Sequence, residues 1–183
     1  MLEKLNTKRT LLILALAVIG FNMLFFLMGL EMKHHHGSSE VLDIQFGYTP
    51  ETAMRILSNM GEYGRSLARY TILADMVYPL VYGLLFLILL YRFTPRLPVA
   101  FLEYVIYALP VIAVICDWLE NIWEWRMMTH FPDQVMTLAP MGSVFTTIKW
   151  YAVLASLVVL GIEVLIALYY PTLRKHGTNP YTN

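Results

Sequence analysis

Four apolar runs, at 10–30, 70–91, 99–123 and 150–170, divide the chain. A helix rises 1.5 Å per residue, so about 20 residues cross the ~30 Å hydrocarbon core of a bilayer. Each run is long enough to do so. Polar residues within the runs recur at helical spacing rather than scatter. On the third run Glu103, Tyr107, Pro110, Val114, Asp117, Asn121 and Glu124 fall at alternating intervals of four and three, with Glu120 one turn from Asp117. On the fourth, Lys149, Ser156, Glu163 and Tyr170 recur every seven residues. Asp75, Tyr78 and Tyr82 share a face of the second, and Ala15, Asn22 and Gly29 share one of the first. Leu, Ile, Val and Phe fill the remaining faces. A polar stripe in lipid is costly, so the four stripes are expected to turn toward one another. The pattern predicts an all-α membrane protein, an antiparallel four-transmembrane-helix bundle with a hydrated or hydrogen-bonded axis.

Between the first two runs, Val41 to Tyr48 alternates like a short extended piece, and a helix is predicted over about 50–60. Thr49 can cap its free amides, Pro50 suits its first position and Glu51 complements its dipole. Met54, Ile56, Leu57 and Met60 give it an apolar side, and Gly61 is a natural stop. This amphipathic helix is expected to lie on the outer mouth of the bundle. The stretch 62–69 extends the second span. The second outer loop, with Pro132, Pro140 and Gly142, reads as irregular.

Orientation follows from Lys and Arg in the short flanks. The N-terminus, the 92–98 loop and the tail hold Lys4, Lys8, Arg9, Arg92, Arg96, Arg174 and Lys175 against one acid, Glu3. The segments 31–69 and 124–149 carry six cations and seven acids. Both termini are therefore expected to be cytoplasmic, in a multi-pass protein of the cell membrane (the inner membrane of a two-membrane cell). The first run is read as a retained helix, since it is too long for a signal-peptide core and no cleavage pattern closes it.

Composition narrows the function classes. The 183 residues are 58% hydrophobic and 14% charged with a formal net charge of zero, which excludes a disordered chain and a nucleic-acid binder working by net charge. A single cysteine, Cys116, excludes a disulfide framework and any Cys-based zinc site. No histidine lies within the four runs, which excludes a bis-His membrane haem. His34, His35 and His36 read as a solvated loop tract, because adjacent imidazoles do not all face one ion. No P-loop, dinucleotide fingerprint, Gly-x-Ser-x-Gly or His-Glu-x-x-His is present.

The candidate chemistry lies in two layers. Asp75, Tyr78, Asp117, Glu120, Asn121 and Lys149 fall in the outer third, while Tyr82, Tyr107, Asn22 and Glu163 lie near or below the midplane. Pro79 marks the first layer: lacking an N–H, it leaves the carbonyl of Asp75 unpaired. Asp75, Asp117 and Asn121 are expected to converge, with Lys149 as counter-ion. For Lys149 and Glu103 a snorkelling role at a span end stands beside this, and for Glu120 and Glu124 a surface role. Trp118, Trp123, Trp125 and Trp150 read as the outer aromatic belt. Glu163 has no cation at its level, so it is expected to hold its proton and donate a hydrogen bond to Tyr107 or a backbone carbonyl.

Gly47, Tyr48, Thr49, Pro50 and Glu51, with Asp75-x-x-Tyr-Pro-x-x-Tyr82 and Asp117-x-x-Glu-Asn121, resemble an uncharacterised group of small prokaryotic four-pass integral membrane proteins. The resemblance spans about 41 to 125. It implies the same four-helix fold and no activity.

Three functions compete. The first is an outward-opening, carboxylate-rich cavity binding a lipid or a small polar or cationic ligand through Asp75, Tyr78, Tyr82, Asp117, Glu120, Asn121 and Lys149. An oxygen-ligated divalent cation such as Mg²⁺ or Ca²⁺ is within its chemistry, though no cofactor is predicted. In an enzyme version Asp75, Asp117 and Glu120 would do acid–base work on a lipid. The second is ion- or proton-coupled transport with Glu163 and Tyr107 as relay. The third is a structural or accessory subunit, in which the stripes only set helix register. A homo-oligomer is compatible with each.

Overall fold

A computed structural model describes residues 2–36, 39–94 and 100–169. Arg96, Tyr170, Arg174, Lys175 and the side chain of His36 lie outside the described residues. The order of elements is α1 (Leu2–Leu5), α2 (Lys8–His36), α3 (Pro50–Asn59), α4 (Gly61–Asp75), α5 (Tyr78–Phe93), α6 (Ala100–Thr129) and α7 (Val135–Tyr169). No strand occurs among the described residues. Four stretches are long and apolar enough to cross a membrane: Lys8–His35, Gly61–Phe93, Phe101–Thr129 and Val135–Tyr169. The chain therefore reads as a multi-pass membrane protein.

Local chemistry explains the helix ends. Thr7 Oγ1 accepts the amide of Thr10 at the start of α2, and Thr49 Oγ1 accepts that of Thr52 at the start of α3. The second span is two helices. Asp75 ends α4 and Tyr78 opens α5, with Pro79 in the first turn of α5. The two carbonyls at the break find side-chain donors on α6. Asn121 Nδ2 reaches the carbonyl of Asp75 at 3.4 Å, and Trp118 Nε1 reaches that of Met76 at 2.9 Å. Trp118 thus satisfies the backbone as well as suiting an aromatic belt.

Apolar packing concentrates where α3, the 39–49 segment and the adjoining ends of α4, α6 and α7 meet. Leu42, Ala53, Ile56, Leu57, Met60, Ile72, Met127, Val135, Leu138 and Ala139 are buried together there. Full burial of a Leu or Ile side chain contributes roughly 1.5–3 kcal/mol. Deeper along the spans the buried apolar cluster shrinks to Tyr82, Ala113 and Ala152, with partly buried neighbours. A cavity occupies the space that core residues would otherwise fill.

Three sequence expectations need correction. Val41–Tyr48 is a turn, not an extended piece: Gln45 N–H bonds the carbonyl of Leu42, Leu42 is fully buried, and Asp43 reaches Lys149. Gly47 has φ +133°, and a Cβ there would lie 2.8 Å from Thr147 Oγ1, so glycine is required where the turn approaches α7. Next, 135–149 is not an irregular loop but the first four turns of α7, Pro140 and Gly142 included. Burial of Val135, Leu138 and Ala139 outweighs the one hydrogen bond Pro140 forfeits. Gly142 is packed so closely that a Cβ would overlap Tyr48 Oη. Finally, the His tract is the last turn of α2, where His35 pairs with Glu31 at 3.1 Å; the helix sends successive side chains to different sides.

Contacts relate the far ends of the spans. Arg92 at the end of α5 reaches Asn6 before α2, and Thr94 just beyond α5 reaches Glu163 on α7. At the loop end Arg55 of α3 makes a two-pronged pair with Glu40. The guanidinium holds the Glu40 carboxyl below the usual carboxylate range.

Candidate functional site

The cavity has a volume of about 630 Å³, within the range of small-molecule sites. Its polar lining includes Asp43, Asp75, Asp117, Asn121, Glu124 and Lys149. Phe25, Met28, Ile72, Leu85, Phe86 and Val153 line the apolar remainder. α2 packs on α4 and α5 and touches α6 and α7 at most marginally. Residues of α2 and α7 nonetheless both face the cavity.

The structure brings most of the sequence candidates into one network. Asn121 Nδ2 donates to Asp75 Oδ2 at 2.9 Å. Tyr82 donates its hydroxyl to Asp117 Oδ2 at 2.8 Å. Glu120 accepts from Thr146 Oγ1 at 2.7 Å and pairs through its other oxygen with Lys149 Nζ at 2.5 Å. Lys149 also pairs with Asp43 and lies 4.0 Å from Asp117 Oδ1. Carboxylate oxygens of Asp43, Asp75 and Asp117 all lie within 4.8 Å of one another. Tyr78 stands at the edge, accepting from Asn22 Nδ2 at 2.9 Å and packed against Phe21 and Phe25.

Surface roles are excluded for several of these groups. Glu120 is 0% exposed, Glu124 3% and Lys149 4%, so Lys149 does not snorkel and the two glutamates are not solvated. The layering also shifts. Tyr82 belongs by backbone depth to the deeper set, yet a long phenol carries its hydroxyl to Asp117. Asn22 likewise reaches Tyr78.

Two members escaped the sequence reading. Asp43 sits on a turn, where no periodicity assigns a face, and only its tether identifies it: Lys149 grips the carboxylate and Trp150 Nε1 bonds its carbonyl at 3.0 Å. Tyr48 precedes α3 with its hydroxyl buried beside Thr146. Burial pushes that phenol up, and the charges of Glu124 and Glu120 add to the effect, so it stays neutral. Glu124 was on the third-helix stripe, and its placement in the cavity wall makes it a full member.

The charge balance is uneven. Among the described lining residues Lys149 is the one cation beside Asp43, Asp75, Asp117 and Glu124, and Glu120, which does not line the cavity, pairs with it. It is committed chiefly to Asp43 and Glu120. Asp75 and Asp117 each have one neutral donor, while Asp117 Oδ1 and Glu124 Oε1 have no hydrogen-bond partner. Buried charges without compensation are costly, so any of these carboxyls that is ionised calls for positive charge or donors nearby.

Glu163 stands apart. It lies fourteen residues beyond Lys149 on α7, about 21 Å along a helix. Thr94, not Tyr107, donates to its Oε1 at 2.7 Å, and its Oε2 is unpartnered. Tyr107 interacts with the same Thr94 hydroxyl. Cys116 is a free, buried thiol. No family model matches the chain, and neither does any curated protein or solved structure.

Proposed function

We propose that this is a membrane protein that binds a lipid-like amphiphile, head group at the Asp75/Asp117/Asn121 end and apolar chain along α2, α5 and α7. One observation carries the reading: a single cavity combines a cluster of acidic side chains with an otherwise largely apolar lining, at the level of spans that would lie in a bilayer. Carboxylates with spare lone pairs favour a head group bearing an amine or hydroxyls. The marginal contact of α2 with α6 and α7 supports access from the bilayer side. Asp75 and Asp117 are the acid–base pair an enzyme version would use, since Glu120 is held by Lys149 and Thr146.

The arrangement that fits is an antiparallel four-helix bundle with both termini cytoplasmic and α3 on the outer mouth. The Arg92–Asn6 and Thr94–Glu163 contacts support it by pairing the far ends of the spans, as does the Lys and Arg bias of the flanks. Proton transport through Glu163 has less support, because Glu163 does not line the cavity. A purely structural role leaves the cavity and its unpartnered oxygens unexplained.

Native mass spectrometry of the mildly extracted protein tests the reading. A retained adduct of one lipid class, lost in Asp117→Asn, is the expected result. Adducts that mirror the bulk lipid and survive that change would refute it.

A further inference from the structure

We propose that Asn22 and Tyr78 form a subsite that recognises a hydroxyl on the bound amphiphile, between its head group and its chain. The inference rests on the reading of the cavity as an amphiphile site, and it names a second group by which that site selects its ligand.

Hydrogen-bonding capacity supplies the first ground. Asn22 commits both hydrogens of its amide, one to the carbonyl of Val18 at 2.8 Å and one to Tyr78 Oη at 2.9 Å. The Val18 carbonyl can only accept, which fixes the end of the carboxamide that carries the nitrogen. Asn22 Oδ1 takes part in neither bond, and Tyr78 Oη accepts in the second, so its own hydrogen is left to donate. The pair thus presents one acceptor and one donor. Oxygen and nitrogen of a carboxamide lie about 2.3 Å apart, which puts Oδ1 within about 5.2 Å of Tyr78 Oη. A hydroxyl oxygen forms bonds of about 2.7–2.8 Å. One hydroxyl therefore reaches both, donating to Asn22 and accepting from Tyr78.

Position is the second ground, and it does not depend on the bond count. Both residues line the cavity. Asn22 is exposed, and it also lines a shallow pocket formed by α2 alone, with Val18, Ile19, Met23 and Phe26. It stands midway along the Lys8–His35 stretch, where hydrocarbon offers a carbonyl oxygen no donor and leaving it unmet is costly. Tyr78 joins the two kinds of lining. Its ring lies 5.2 Å from that of Tyr82, whose hydroxyl holds Asp117, and 5.4 Å from that of Phe25. It is also close enough to Asp75 and Asp117 to feel their charge. A hydroxyl held here suits an amine held by those carboxylates and a chain that continues past Phe25. The ligand class that fits is a long-chain amino alcohol.

The test is a competition read by native mass spectrometry on the full-length protein in detergent. The probes are N,N-dimethylhexadecylamine and the same amine carrying a hydroxyl on the carbon β to nitrogen, mixed in equal amounts. The ratio of the two adducts reads the preference directly. Dividing by the ratio for Asn22→Leu/Tyr78→Phe cancels the unequal partition of the probes into detergent. The wild-type ratio should exceed that of the double variant about tenfold, and each single change should remove about threefold. Tyr78→Phe keeps the ring and its packing, so it carries the reading alone if the Asn22 variants fail to fold. Equal ratios in the wild type and the variants overturn the subsite and leave the amphiphile reading standing. No adduct of either amine on the wild type overturns both.

Discussion

Asn121 and Asp75 meet twice: one amide nitrogen lies 2.9 Å from the Asp75 carboxylate and 3.4 Å from its backbone carbonyl. The carbonyl is available because Pro79 has no N–H to offer it. The break in the second span and the polar site are thus one feature. A proline four residues on exposes the carbonyl, and an asparagine on the neighbouring helix answers it.

Asn121→Ala should therefore lower stability by about 1–3 kcal/mol, since two buried acceptors lose their donor. Pro79→Ala would give the carbonyl a helical partner. In a double-mutant cycle followed by thermal unfolding in detergent, Asn121→Ala should cost less in the Pro79→Ala background. Strictly additive effects would separate the break from the site.

Lys149 holds the acids together. Lys149→Met should cost about 3–5 kcal/mol, because Asp43 and Glu120 are left buried and uncompensated. Adding Asp43→Asn and Glu120→Gln should recover most of the loss in the same unfolding measurement.

At the other level, Glu163→Gln should remain within about 1 kcal/mol of wild type, because the amide oxygen still accepts from Thr94. Glu163→Leu and Thr94→Val each strand a buried partner and should cost about 1–3 kcal/mol. Thermal unfolding separates these outcomes. A Gln variant as unstable as Leu would mean that the acid itself is required.

Orientation is open to cysteine labelling in a Cys116→Ala background. Reagent from the cytoplasmic side should modify a cysteine at Thr7, and reagent from outside should modify one at Thr137; both positions are exposed. The reverse pattern would invert the protein.

The spans and the inward stripes were legible because lipid enforces a helical period on every residue it touches. Pro79 was legible for the same kind of reason: its missing N–H has a definite consequence four residues back. Asp43 was not, because a turn has no period and its place depends on Lys149, 106 residues away. The start of α7 was misread because Pro140 and Gly142 carry the local marks of a loop, and only packing against the rest of the fold overrides them. Thr94 lies one residue past α5, where nothing in the pattern marks it as the partner of Glu163.

The central claim is that an amphiphile occupies the cavity with its chain along the apolar wall. Photo-crosslinking with a diacyl lipid bearing an amine head group and a diazirine in one acyl chain tests it most directly, with adducts mapped by mass spectrometry. The account predicts adducts concentrated on Phe25, Met28, Phe86 and Val153, which line the cavity, and their loss in Asp75→Asn/Asp117→Asn. Adducts confined to exposed positions such as Leu12, Leu16, Ile162 and Leu165, with none in the cavity, would contradict it.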